Sequence, residues 1–224
     1  MRLILFDGYG TLFDQAMETL YQTCQSVVDD LRLDMTREAF LDQWDRYFFP
    51  MIRQGDFVTF WDAHVIGMDR VLEDLGVAGE SAGYVGALFD AFGRVPLYED
   101  VKPALAAITG IRTGVVSNAD HGHLTSALEK HALNFEVVVS SESARCYKPR
   151  VDIFYEALSQ FDCKPEDALY VGDSQEDDVV GARAAGLKIA WLNREGAHRR
   201  ATTPEPDFEI ESLAEIPGLI GAIR

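Results

Sequence analysis

Asp7 stands where a carboxylate can act as a nucleophile. In FDGYGTLFD, residues 6–14, it follows the apolar run Leu3-Ile4-Leu5-Phe6 and precedes Gly8 and Gly10. The run reads as a buried strand, cut off at once by the glycines. A carboxylate at the tip of such a strand, wrapped in a glycine-rich loop, is exposed, fixed and poorly solvated, which makes a weak nucleophile useful. Thr11, in the same loop, can hold a substrate oxygen through its hydroxyl. Ser117 and Asn118 follow Val115-Val116 and bring a second hydroxyl and an amide to another strand end. Lys148, in CYKPR, supplies a fixed cation on a loop stiffened by Pro149, and VGDSQEDD contributes Asp173, Asp177 and Asp178. If Asp7, Asp173 and Asp178 converge with a single lysine, they repel one another severely at low dielectric. A divalent cation resolves that repulsion. All-oxygen donors suit Mg²⁺, which keeps several waters and binds phosphate oxygens. The chemistry this allows is in-line attack by Asp7 on phosphorus, with Mg²⁺ and Lys148 neutralising the developing charge.

Those residues need elements to position them. Residues 15–93 carry apolar stripes at helical spacing: Met17 to Leu31, Phe40 to Phe48, Phe57 to Leu75 closed by Gly76, and a short one near Tyr84–Phe92. Thr36 marks a helix start, and Pro50 is expected to stop or bend the helix that precedes it. From Pro96 the pattern alternates. Strands are expected at Thr113–Val116, Glu136–Ser140, Ala168–Val171, Leu187–Leu192 and, weakly, Phe208–Ile210. Helices are expected at Val101–Ile108, Leu124–His131, Val151–Gln160 and Val179–Ala185. Strands alternating with helices imply a parallel sheet with its site at the carboxyl ends of the strands. Asp7, Ser117-Asn118, Lys148 and Asp173–Asp178 all fall at those ends. The expected architecture is a Rossmann-like, doubly wound α/β core, residues 1–14 and 94–224, with an inserted helical cap, residues 15–93, that closes over the site.

In this order and spacing the motifs resemble those of the haloacid dehalogenase (HAD) superfamily, in the subgroup with a helical cap after the first motif. FDGYGTLFD is similar to the first motif, VVSN to the second, YKP to the third and GDSQEDD, followed by GARAAG, to the fourth. The resemblance covers essentially the whole chain. It implies an aspartyl-enzyme intermediate on Asp7, and Mg²⁺ held by the Asp7 carboxylate, the backbone carbonyl of Tyr9 and the Asp173 carboxylate. Asp178 would act in the outer sphere of the metal or through water, while Thr11, Ser117 and Lys148 hold the transferred group. Tyr9 departs from the pattern of the family's phosphatases, which usually carry there a second aspartate as acid and base. The family's 2-haloacid dehalogenases resemble this chain at Tyr9, since halide leaves unprotonated. They lack the acidic fourth motif, use no metal, and bind halide with a cap arginine, for which Arg46 and Arg53 are candidates by position. Losing one general acid slows a phosphatase by about 10²–10⁴ without abolishing it. Asp173 and Asp178 beside Asp7 without a metal would protonate or disorder the nucleophile. The fourth motif therefore weighs more. The expected function is a Mg²⁺-dependent phosphatase for a small phosphomonoester. The alternatives are a metal-free 2-haloacid dehalogenase working through an aspartyl ester, and a non-catalytic phosphoacceptor.

Composition bounds the partners. A net charge of −17 across 224 residues leaves no cationic surplus for nucleic acid or an anionic membrane, so the expected partner is a small molecule. Cys24, Cys146 and Cys163 form no CxxC and read as free thiols. The chain shows no signal-peptide pattern and no long apolar run, which reads as a soluble, cytoplasmic protein. His121 and His123 read as exposed loop or helix-start residues, His64 as a core-edge residue, and Ser174 as a helix cap.

Overall fold

A computed structural model describes residues 2–222, which form two compact units. One comprises the chain up to Asp14 and again from Pro96 onward, and the other is Gln15–Val95.

The second unit is helical, with α1 (Ala16–Asp30), α2 (Arg37–Gln54), α3 (Phe60–Asp74) and α4 (Ser81–Phe92). Thr36 and Thr59 cap α2 and α3 by accepting from the N–H groups of Ala39 and Asp62. Trp44, Phe40, Val71 and Leu88 are buried in its core, and the Trp44 indole donates to the His64 carbonyl at 2.9 Å. Pro50, expected to stop or bend α2, does not stop it, and the helix runs four residues further to Gln54. The lost backbone donor is outweighed by the buried stripe of Leu41, Phe48 and Ile52 on either side of it. His64 is not at the core edge but buried. Its ring lies 4.3 Å from Phe48, stacked, and 4.7 Å from Phe60, edge-on.

The first unit holds one six-stranded sheet, β1 (Leu3–Phe6), β2 (Arg112–Ser117), β3 (Val137–Ser140), β4 (Ala168–Gly172), β5 (Lys188–Leu192) and β6 (Phe208–Ile210). Every pairing is parallel and the spatial order is β3-β2-β1-β4-β5-β6. Its helices are α5 (Val101–Ala107), α6 (His121–Lys130), α7 (Ser141–Ala144), α8 (Val151–Gln160), α9 (Val180–Ala184) and α10 (Ile216–Ala222). Buried, uninterrupted apolar runs such as LILF suit strands covered on both faces. Leu3 and Leu5 pack in one cluster with Phe154 and Ala182 from α8 and α9, while Phe6 faces the opposite side, its ring 6.1 Å from Phe135. This is the doubly wound Rossmann-like arrangement. Strand order reverses between β1 and β4, and a sheet of this kind opens its crevice at such a switch point. Asp7 follows β1 and Asp173 follows β4. Among the described residues no helix is long and apolar enough to cross a membrane.

Candidate active site

Asp7 leaves β1 with its N–H still paired to the Val171 carbonyl of β4 at 2.9 Å. The chain then turns around the Gly8 carbonyl, which accepts from the N–H groups of Leu12 and Phe13 at 2.7 and 3.0 Å. Gly10 sits in this turn with φ 90°, where a Cβ would lie 2.5 Å from the Asp173 carboxylate. Glycine is thus required twice, by backbone angle and by space. Asp7 was expected to be exposed at the loop tip. It is 5% exposed instead, because Lys148 closes on it.

Lys148 is the hub of the site. Its ammonium donates to Asp7 Oδ1 at 2.6 Å, to Asp178 Oδ1 at 2.6 Å and to the Tyr170 hydroxyl at 2.9 Å. Its backbone is pinned by Asn118, whose Oδ1 accepts from the Lys148 N–H at 2.8 Å and whose Nδ2 donates to the Lys148 carbonyl at 3.3 Å. Both ends of the Asn118 amide therefore meet Lys148, where the sequence had suggested substrate. Burial alone would push the lysine down, but the charges and hydrogen bonds of Asp178 and Asp7 outweigh it and hold the ammonium above its ordinary value.

Asp178 arrives by an unusual turn. Gln175–Val179 forms one π-helical turn, with Asp178 and Val179 N–H groups both on the Ser174 carbonyl at 3.0 and 3.1 Å. The turn directs Asp178 inward, fully buried, with Oδ2 accepting from the Ser174 N–H at 2.9 Å. Ser174 Oγ caps the turn by accepting from Asp177 N–H at 3.1 Å. Gly172, the last residue of β4, lies so close to the Asp178 carboxyl that an added methyl would overlap it. Thr11 is buried and donates from its hydroxyl to Asp173 Oδ1 at 2.8 Å. The Ser117 hydroxyl lies beside Gly8.

The carboxylates do converge: Asp7, Asp173 and Asp178 each offer an oxygen within 4.8 Å of the others. Burial pushes Asp7 up to about 6, with Lys148 opposing and Asp178 adding to the rise. Loss of hydration, then the charges of Asp7 and Asp178, push Asp173 up to about 8. One lysine thus fails to balance three carboxylates. The donor set is all hard oxygen and lacks positive charge, so a small divalent cation fits it.

Two residues of the site escaped sequence reasoning. Tyr170, on β4, is fully buried, and its hydroxyl lies 2.9 Å from the Val116 carbonyl and 3.0 Å from Asp178 Oδ1. Burial and the charges of Asp178 and Asp7 hold its phenol well above the usual value, so it stays neutral. His123 was read as an exposed loop or helix-start residue, and it does start a helix, but its contact with Tyr9 was not foreseen. His123 lies in the first turn of α6, partly buried, with Nδ1 3.1 Å from the Tyr9 hydroxyl. Burial, then the charge of Asp7, holds the Tyr9 phenol above its ordinary value, so it stays neutral. His121 donates its backbone N–H to Glu142 at 2.6 Å. Arg46 is exposed, and Arg53 lies 4.3 Å from the centre of the Phe49 ring.

A family model for haloacid dehalogenase-like hydrolases matches residues 1–186. N-acylneuraminate-9-phosphatase of Homo sapiens is 32% identical over 134 residues, 58% of this chain and 54% of that protein. The chain thus spans about half the length of that relative. Haloacetate dehalogenase H-2 of Moraxella sp. (strain B) is 25% identical over 97% of this chain and 96% of its own. Among solved structures, L-2-haloacid dehalogenase from Xanthobacter autotrophicus superimposes with a TM-score of 0.82 over 100% of both chains at 20% identity, a likeness of fold.

Proposed function

The chain belongs to the haloacid dehalogenase-like hydrolases, and from that premise we propose that it is a Mg²⁺-dependent phosphatase that hydrolyses a small phosphomonoester through an aspartyl-phosphate on Asp7. The observation that carries this reading is the meeting of Asp7, Asp173 and Asp178 within 4.8 Å. A metal-free hydrolase gains nothing from Asp173, a further carboxylate held within 4.8 Å of the nucleophile. In this reading Asp7, Asp173 and the Tyr9 backbone carbonyl hold the ion, with Asp178 in its outer sphere. When bound, Mg²⁺ supplies positive charge at the transferred phosphoryl group.

The chain's own residues do the rest. Asp7 forms an O–P bond as the leaving alkoxide departs and takes a proton from solvent. Lys148 turns from Asp7 toward the transferred group and donates to it. Ser117 adds a donor beside Gly8, Thr11 keeps the Asp173 carboxylate turned toward Asp7, and Asn118 acts through the Lys148 backbone. Water then attacks phosphorus, the acyl-phosphate P–O bond breaks, and Asp7 returns as a carboxylate with orthophosphate. The helical unit, Gln15–Val95, is the cap of this reading and the source of substrate selection.

The test is phosphate release from an activated aryl phosphate. Release is expected with Mg²⁺ and not in EDTA, and Asp7→Asn abolishes it; release that persists in EDTA overturns the reading. A second reading, 2-haloacid dehalogenase, is favoured by Tyr9, whose hydroxyl faces His123 where a phosphatase would carry an acid. It requires halide release from chloro- or bromo-acids in EDTA.

A further inference from the structure

Lys148 reaches the site on a four-carbon stem from a loop, yet its ammonium is held in three directions. An ammonium has three protons, and here they point to Asp7, Asp178 and Tyr170. The first of these partners is given up, or shared, when a group is transferred to Asp7. Asp178 is itself carried by a single π-helical turn. Tyr170 is the one partner built on the sheet. Its stem is the central residue of β4, it is fully buried, and the Phe154 ring meets its ring edge-on at 5.0 Å. Its hydroxyl donates to the Val116 carbonyl of β2 at 2.9 Å or to Asp178 Oδ1 at 3.0 Å, leaving a lone pair for Lys148. A phenol can accept and donate at once, which phenylalanine cannot.

We propose that Tyr170 is a positioning residue: its hydroxyl ties the Lys148 ammonium to the sheet, so that the lysine can turn from Asp7 to the transferred group without leaving the site. Asn118 fixes the lysine's backbone, Tyr170 fixes its far end, and the stem between them has one course. A phenol that merely filled the core would be satisfied by Val116 alone and would leave Lys148 indifferent to its loss. The inference rests on the hydrolase reading given above, but any reaction in which Lys148 assists attack by Asp7 exposes it.

The experiment is a double-mutant cycle of Tyr170→Phe and Lys148→Met, which isolates the coupling between the two groups. It is run on phosphate release with Mg²⁺ or, if the protein releases halide instead, on halide release. Loss of the phosphatase reading is thereby separated from loss of this one. Tyr170→Phe is expected to keep its fold by circular dichroism, to lower kcat by about tenfold or more, and to move KM by less than about threefold. In the Lys148→Met background the same change is expected to cost less than about twofold. Because Lys148→Met can leave too little turnover to measure, binding of orthophosphate by calorimetry gives a second readout. There Tyr170→Phe weakens binding in the parent and not in the Lys148→Met protein. A folded Tyr170→Phe protein with unchanged kcat, or equal losses in both backgrounds, overturns the proposal.

Discussion

Asp173 is the residue at which charge, the proposed metal and pH meet. Asp7 and Asp173 are pushed up to about 6 and about 8, both above the ordinary aspartate value. Groups raised in the fold contribute stability fully below their unfolded pKa and lose it as pH rises through the folded values. The metal-free protein is therefore expected to melt at falling temperature as pH rises from about 5 to about 9. In the proposed metal-bound state Mg²⁺ takes the place of the protons, so its stabilisation is expected to be largest at the alkaline end, by about 3 kcal/mol at a hundredfold excess over Kd. Differential scanning calorimetry with Mg²⁺ or EDTA checks this, and a Mg²⁺ effect equal at both pH extremes would remove the metal site. Tyr9 yields a second prediction. Tyr9→Asp restores an acid and is expected to raise phosphate release from alkyl phosphates by up to about 10²-fold, with aryl phosphates changing less. An equal gain on both would mean the carboxylate acts elsewhere. The placement of Asp7, Ser117 and Asp173 at strand ends was legible because each closes or follows an apolar run, LILF, VV or ALYVG, whereas Thr11 and Lys148 sit in loops that no apolar run introduces. Tyr170 was not legible, since an aromatic inside ALYVG reads as strand filler and its partners lie 8 to 54 positions away in sequence. The Tyr9–His123 bond spans 114 positions, and no local pattern announces it.

At the level of elements, the strands were legible because buried parallel strands are apolar runs, and β1, β2 and β4 end within a residue of where those runs meet polar residues. The π-helical turn at Gln175–Val179 was read only as the approach to a helix starting at Val179. An extra residue in a turn leaves no mark in the polar string QEDD. That turn depends on Gly172. Gly172→Ala drives a methyl into the Asp178 carboxyl, so it is expected to lower kcat by about tenfold or more and to cost about 1–3 kcal/mol of stability. A crystal structure or activity assay showing Asp178 still on Lys148 with full turnover would refute this. In the helical unit, His64 is the vulnerable point. Burial pushes its imidazole down to about 3, and neither ring nitrogen has a partner among the described residues. It folds neutral, so its contribution is complete above the unfolded value near 6.5 and is lost as pH falls toward 3. His64→Leu is expected to flatten the acid limb of the stability curve by up to about 1.4 kcal/mol per pH unit. Urea melts at two acidic pH values measure that slope, and an unchanged slope would place the proton uptake in another group.

Over the whole molecule, the net charge of −17 sets a field that opposes an anionic substrate. The site itself is close to neutral in the proposed state, since the lysine and a divalent cation offset Asp7, Asp173 and Asp178. The repulsion therefore comes from the rest of the chain and acts at long range. Charges that far away are screened by salt, with a Debye length of about 10 Å at 0.1 M. Contacts inside the site, such as the 2.6 Å pair of Lys148 and Asp7, are too short and too buried to be screened. Salt should then help the substrate arrive while leaving the chemical step alone. For a phosphomonoester dianion, kcat/KM is expected to rise about twofold or more between roughly 0.02 and 0.2 M KCl at saturating Mg²⁺, with kcat nearly constant. A monoanionic substrate feels about half the field energy and should show a shallower slope. Initial rates across a salt series measure both. A kcat/KM that falls with salt would mean that a local cationic approach, not the acidic whole, governs encounter.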